Sequence, residues 1–197
     1  SLTEVLASDD LDVPMDLAFH PDEPNEMWIG NQGDSSMTIV TDMDMDTWTV
    51  NKEIDPTGLH FLAKVSSLAF GTGGMMATTQ EEDEPTPYTG HAPADFMGPT
   101  MWTSDKNEFE GGHISHYDML HNSPNGAGIA WESDNIYWVF DGYHESLTRY
   151  DFKEDHGAGG ADHSDGVVYR YVEGEVSYLP GVGSHMEYDS DSKLLYV

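Results

Sequence analysis

The chain has 197 residues, of which 38% are hydrophobic, and its seven Lys or Arg residues stand against 37 Asp or Glu residues, giving a net charge of −30 at pH 7. This charge argues against nucleic acids and anionic membranes as partners, because phosphate groups would be repelled, while the hydrophobic content is that of a folded domain with a carboxylate-rich surface. Cysteine is absent, which excludes disulfides and thiolate metal sites, and no apolar run is long enough to span a bilayer.

A repeat of about 50 to 60 residues runs along the chain. Each copy opens with a short alternating strand, a polar turn and a second strand, and the turns are rich in Gly, Pro, Asn, Asp and Ser, as tight hairpins require. In chain order, the copies of this opening pattern cover 15–33, 65–80, 127–146 and 184–197. Two further strand-like pieces follow each of the first three copies, so that each complete repeat contains four strands.

Four strands per repeat at this period predict an all-β fold, a β-propeller of four-stranded antiparallel blades. We expect one propeller domain over 1–197, with three blades and the start of a fourth. The predicted blades cover 15–57, 65–120, 127–174 and 183–197. Since propellers of this kind need about six blades, we expect the ring to be completed by further residues or by other chains.

Residues 128–152, GIAWESDNIYWVFDGYHESLTRYDF, resemble a blade of the NHL-type propeller repeat family. In that repeat Gly-Ile-Ala leads an inner strand into a turn, the next strand ends near Asp, and a third ends in an Arg-Tyr/Phe-Asp pattern. The segments LAFHPD and LAFGTG of the first two repeats are similar to it more loosely. The resemblance implies blades arranged around a central channel, with ligands bound on one face of the ring.

In such a ring, the links between blades and the links between second and third strands emerge on the ligand face. The histidines that this arrangement assigns to the ligand face are His60, His91, His121, His144 and His185. Those assigned to the opposite face are His20, His156 and His163.

Within the ligand face, His121 and His185 are candidate metal ligands, because converging neutral imidazoles suit zinc or copper. The plan is similar to that of the peptidylglycine lyases, which hold a metal on a propeller of this general type. At the corresponding positions the first repeat has Asp16, and the second has Ser66 or Ser67 where a histidine would be needed. A channel lined by polar groups and water is the alternative.

Asp141 and His144 cluster at the end of a strand that runs toward the same face, where Asp141 could instead cap the turn. The candidate ligands for a divalent cation, either calcium or zinc, are Asp16, His121, Asp141, His144 and His185.

Residues 42–53 have the carboxylate spacing of an EF-hand loop, but Thr47 replaces the glycine that its sharp turn needs. We therefore expect a strand there.

The inward positions of the first two strands of each repeat are expected to form the core, because alternate residues share one face of a strand. These residues are Met15, Leu17, Phe19, Trp28, Leu68, Phe70, Ile129, Trp131, Trp138 and Phe140. On the outer strand over 113–120, the odd spacing of His113 and His116 would point them to opposite faces, so they could not share a metal without a bulge. Because this is an outer strand, we expect both to be surface histidines.

Two insertions separate predicted strands. Residues 81–98 are rich in Pro and acidic residues and lie on the ligand face, which indicates a lid loop or a solvated acidic excursion. Residues 153–166 are glycine-rich and lie on the opposite face. A mobile loop is expected there, with local metal binding by its Asp and His residues as the alternative.

Catalytic motifs are absent from the sequence, and no catalytic residue can be named. We expect a non-catalytic acidic propeller, extracellular or periplasmic, that binds a protein or a small-molecule ligand on its channel face, with a divalent cation as an option. The alternative is a metal-dependent lyase or lactonase-type hydrolase. In that alternative His121 and His185 are metal ligands, and Asp16, Asp141 or Glu187 assist.

Overall fold

The computed structural model describes residue 6 and residues 9–55, 61–83, 98–112, 114–160 and 162–197. Over these residues the chain forms fourteen β-strands and no helix. Accordingly, this part of the chain contains no helix with the length and apolar character needed to cross a membrane.

Three four-stranded antiparallel sheets follow one another along the chain, and each has its strands in sequence order. The first consists of β1 (Pro14–Phe19), β2 (Met27–Asn31), β3 (Ser36–Thr41) and β4 (Thr49–Ile54). The second consists of β5 (Val65–Phe70), β6 (Met75–Gln80), β7 (Thr100–Thr103) and β8 (His116–Met119). The third consists of β9 (Gly126–Ser133), β10 (Ile136–Asp141), β11 (Ser146–Asp151) and β12 (Val167–Tyr171). A hairpin of β13 (Glu187–Asp189) and β14 (Leu194–Tyr196) ends the described chain.

Polar turns join the first two strands of each sheet. Between β5 and β6 the chain passes through Gly73 and Gly74, whose φ angles are 69° and 78°. Side chains with a Cβ rarely adopt this left-handed conformation, whereas glycine adopts it without steric cost. The polar turn sequences therefore fold as hairpin turns.

Inner strands β1, β5, β9 and β13 lie beside one another, and apolar clusters fill the spaces between successive sheets. Trp28 and Ile39 of the first sheet pack with Leu68 and Trp102 of the second. Met101 of the second sheet packs in the same way with Tyr137 of the third, which is fully buried. Sheets stacked around their inner strands are the arrangement of propeller blades, which confirms the predicted all-β propeller of four-stranded antiparallel sheets.

The predicted core is confirmed in part. Trp28, Leu68, Ile129 and Phe140 are buried, and Met15, Phe70, Trp131 and Trp138 are half-buried. The prediction is wrong for Leu17 and Phe19, whose exposed fractions are 53% and 58%. Ala18 between them packs against the core shared with the second sheet, so its two neighbours point to the other face of β1, which no sheet of the described residues covers.

The prediction that His116 lies on the surface is also wrong, because this side chain is 1% exposed. Its ring centroid lies 4.4 Å from that of Phe61 and 5.5 Å from that of His163. The link between β11 and β12 folds back over β8 and covers it. Some predicted features lie outside the described residues, namely His60, His91, His113 and residues 84–97, which make up most of the predicted lid loop over 81–98.

Candidate functional site

The inner strands of the propeller surround a cleft of about 650 Å³. Its walls come from β1, β5, β9 and the β13–β14 hairpin. Five aromatic side chains line it, namely Phe19, Phe70, Trp131, Tyr188 and Tyr196. The cleft can therefore hold the apolar part of a small molecule against aromatic rings.

Three acidic side chains also line the cleft: Asp16, Glu132 and Glu187. Among the described residues that form its walls there is no lysine and no arginine. Negative charge inside a concave surface attracts cations, and the net charge of −30 adds to this field. The cleft is therefore suited to a positively charged ligand.

Asp16 is held by the backbone of two strands. Its Oδ1 accepts a hydrogen bond of 2.8 Å from the amide of Leu17, and its Oδ2 accepts one of 3.0 Å from the amide of Leu68 in the next sheet. Nδ1 of the exposed His185 lies 3.7 Å from Oδ1 of Asp16. Burial raises the pKa of Asp16, while the two amides and His185 partly offset that rise. A fixed carboxylate of this kind is a rigid binding group.

Glu132 is paired within the third sheet. Its two carboxylate oxygens accept hydrogen bonds of 2.7 and 2.8 Å from Nε and Nη2 of Arg149, and a third of 2.7 Å comes from Nε1 of Trp138. These contacts, above all those from Arg149, lower the pKa of Glu132. Because Arg149 balances this charge, the negative charge available to a ligand comes from Asp16 and the exposed Glu187.

Asp141 lies in a different environment, at the end of β10, and is fully buried. It accepts hydrogen bonds from Oγ of Ser123 at 2.9 Å and from the amide of His144 at 3.1 Å. Nδ1 of His144 and Nη2 of Arg170 lie 2.8 Å and 3.3 Å from its Oδ2. Through these contacts with Ser123, His144 and Arg170, Asp141 fixes the turn between β10 and β11.

His121 joins the same network through its backbone. Its carbonyl accepts a hydrogen bond of 3.1 Å from the hydroxyl of Tyr150, which lies 2.5 Å from Oγ of Ser123. Burial raises the pKa of Tyr150 and keeps its hydroxyl protonated. This network holds the link that leads into β9.

The five predicted ligands thus fall into two groups. Asp16 and His185 meet in the cleft, whereas Asp141 and His144 pair directly beside the link that carries His121. Metal binding by these residues stays a prediction.

The sequence identifies a third cluster only in part, since it indicates metal binding by Asp and His residues of 153–166 as an alternative but gives no sign that Asp118 takes part. Asp118 of β8 lies near His156 and Asp165 of the link between β11 and β12, with ligand atoms of all three within 4.8 Å of one another. The sequence signal was the pair of Asp- and His-rich stretches around 116–118 and 153–166. Nothing in the repeat pattern indicated that these stretches meet across two sheets.

No protein-family model matches the chain, and no curated protein sequence matches it. The chain is similar in structure to an auxiliary nutrient binding protein from Bacteroides thetaiotaomicron, with a TM-score of 0.59 and 13% identity over 94% of this chain and 36% of that one. It is also similar to a streptogramin B lyase, with a TM-score of 0.56 and 14% identity over 98% of this chain and 50% of that one. A catalytically inactive virginiamycin B lyase from Staphylococcus aureus with quinupristin gives a TM-score of 0.55 and 14% identity, over 96% of this chain and 50% of that one.

At this level of identity the likeness concerns the fold. The chain spans between 36% and 50% of the length of these three proteins. All three are propeller-like, as are the stacked four-stranded sheets described above. The fold of this chain is therefore that of a β-propeller.

Proposed function

We propose that this chain is part of a non-catalytic, acidic β-propeller that binds a small organic cation in the cleft between its inner strands. The observation that carries the proposal is the lining of the cleft, in which aromatic rings combine with the carboxylates of Asp16 and Glu187 and with no basic wall residue among those described. A cation with an apolar part gains from both features, since carboxylates and aromatic faces attract positive charge.

One of the similar proteins is a nutrient binding protein. This supports a ligand-binding role for the present chain only to the extent that the two proteins share a fold. The proposal includes a ring of about six blades, an NHL-type repeat over 128–152, and a location outside the cytoplasm.

The alternative, a metal-dependent lyase or hydrolase, is not favoured. It needs His121 and His185 to bind one metal together, but His185 lines the cleft beside Asp16, and His121 is not among the described residues that line it. Of the five predicted ligands, only Asp16 and His185 line the cleft, which is fewer than the three that catalytic zinc sites use.

Isothermal titration calorimetry with benzyltrimethylammonium tests the proposal, with 3-phenylpropionate as an anionic counterpart of similar size. We expect the cation to bind and the anion not to bind. Asp16→Asn should weaken cation binding about tenfold, because it removes the charge held at the cleft.

The control variant is Asp46→Asn, which removes the same charge from an exposed position in the link between β3 and β4. It should leave the affinity unchanged. Equal weakening in the two variants would mean that the cation is attracted by net charge alone and would overturn the proposal. So would the absence of cation binding at millimolar concentration.

A further inference from the structure

The link between β11 and β12 is fastened to the outer strand of the neighbouring sheet. The amide of Gly159 donates a hydrogen bond of 2.8 Å to the carbonyl of His116. Farther along the link, a Cβ at Gly166 would lie 2.5 Å from Cδ2 of Leu120, so a larger residue there would displace the Leu120 side chain. Contacts at both points bring the side chains of the link over β8.

Asp118 of β8 faces this link and is fully buried. Its Oδ1 accepts a hydrogen bond of 2.6 Å from the amide of Met119 and lies 2.6 Å from Nδ1 of His163. Its Oδ2 has no hydrogen-bond partner within the described part of the chain. A buried carboxylate oxygen without a partner is costly unless a positive charge lies beside it.

The open oxygen of Asp118 points toward two residues of the link. Nε2 of His156 lies 3.8 Å from it, and Oδ1 of Asp165 lies 2.9 Å from the same nitrogen. The amide of Glu154 donates to the other oxygen of Asp165 at 3.3 Å, which fixes this carboxylate in the link. Two carboxylates and one imidazole therefore converge on one point.

The electrostatic surroundings of this point are acidic. The pKa of His156 is raised by its hydrogen bond with Asp165 and further by the charges of Asp118 and Asp162. Each of these neighbours stabilises positive charge at the position of His156. A metal cation placed between the carboxylates would experience the same attraction.

We propose that Asp118, His156 and Asp165 bind one divalent transition-metal ion, with zinc as the best match. Zinc takes imidazole nitrogen and carboxylate oxygen together, whereas calcium and magnesium prefer sites made of oxygen alone. His163 contacts Oδ1 of Asp118 and so orients this carboxylate, as the hydrogen-bond partners of metal ligands do. Since Asp165 reaches the solvent, a water molecule completes the coordination.

The proposed metal joins two blades. Asp118 belongs to the second sheet and His156 and Asp165 to the third, so one ion would hold the link of one sheet on the outer strand of the other. None of the three residues lines the central cleft. The metal site is therefore independent of the proposed cation binding.

The test uses the full chain, stripped with a chelator and then titrated with zinc chloride in a calorimeter. We expect one zinc ion per chain, binding at least tenfold more tightly than calcium, and a rise in Tm on zinc addition. His156→Gln and Asp165→Asn should each weaken zinc binding at least about tenfold and abolish the rise in Tm. Both changes are at solvent-accessible positions, so the variants should fold even where Asp118→Asn does not.

Two matched controls separate the site from general attraction by an acidic protein. Asp46→Asn removes an exposed charge from the link between β3 and β4, far from the site, and His185→Gln removes an imidazole from the cleft. Both should bind zinc as the unmodified chain does. The proposal is overturned by a chain that takes up no zinc at micromolar concentration, or by His156→Gln and Asp165→Asn variants that bind zinc as tightly as the controls.

Discussion

The hydroxyl of Tyr178 donates a hydrogen bond of 2.6 Å to Oε1 of Glu81, which joins the link after β12 to the end of β6. The amide of Gly181 donates to the same oxygen at 2.7 Å, and Nε2 of Gln32, next to β2, donates to Oε2 at 2.8 Å. Burial, and then the bond to Glu81, raises the pKa of Tyr178. One carboxylate therefore connects the first sheet, the second sheet and the segment that precedes β13.

Glu81→Ala should lower the free energy of unfolding by about 2 to 3 kcal/mol, because three donors lose a charged acceptor. Urea denaturation followed by tryptophan fluorescence measures the change. Asp83→Ala is the matched control, since Asp83 is exposed two residues away, and it should change stability by less than about 0.5 kcal/mol. Similar losses in both variants would contradict the bridging role of Glu81.

The network around Asp141 leads to a second prediction. Asp141→Asn keeps the size of the side chain but removes the buried charge that Arg170 and His144 contact, so unfolding should become easier by about 3 kcal/mol. Zinc and calcium binding, measured by calorimetry, should stay unchanged, because the role of Asp141 is structural. Asp134→Asn in the exposed turn after β9 should leave stability nearly unaltered. Loss of a bound metal in the Asp141 variant would instead support its role as a ligand.

The sequence was sufficient to predict the propeller and most of its strands, because alternation and turn chemistry are local properties. Of the strand expected over 42–53, only the part from Thr49 onward forms, within β4. The residues of β9, β10 and β11 follow the pattern read from 128–152. Alternation also shows which residues share a face, but it does not show whether another sheet covers that face. For this reason alternation predicts Leu17 and Phe19 to lie in the core, although both are exposed.

The clusters of side chains were harder to predict, because they depend on contacts between distant parts of the chain. The outer-strand position of His116 predicts a surface residue, because the sequence gives no sign that the link after β11 covers it. Asp118 and His163 lie in contact although they are 45 positions apart. The pairing of Asp16 with His185 follows from the stacking of the sheets, which brings β1 and the segment before β13 to one cleft.

Two buried tyrosines of the third sheet provide a third prediction, since both are fully buried but differ in their hydroxyl groups. The hydroxyl of Tyr137 has no hydrogen-bond partner among the described residues. Tyr137→Phe should therefore be neutral or stabilise the fold by up to about 1 kcal/mol, because it removes an unsatisfied polar group. Thermal and urea unfolding of the variant measure this difference.

Tyr150→Phe is the matched comparison for that change. The hydroxyl of Tyr150 bonds to Ser123 and to the carbonyl of His121, so its removal should cost about 1 to 2 kcal/mol. A larger loss for Tyr137→Phe than for Tyr150→Phe would show that the hydroxyl of Tyr137 contributes to stability after all.

The ion pair of Glu132 with Arg149 makes stability depend on pH. Because the hydrogen bonds from Arg149 lower the pKa of Glu132 in the folded state, the pair's contribution is fully present above the unfolded pKa of about 4.3. It is lost as the pH falls through the lower, folded value. Glu132→Gln should therefore be less stable than the unmodified chain at neutral pH by about 1 kcal/mol, and the difference should shrink below about pH 4.

Urea unfolding of both proteins across this pH range measures the difference in stability. Glu173→Gln, at an exposed position, is the control and should show no such change. A difference that stayed constant or grew on acidification would mean that Glu132 stabilises the third sheet without being ionised.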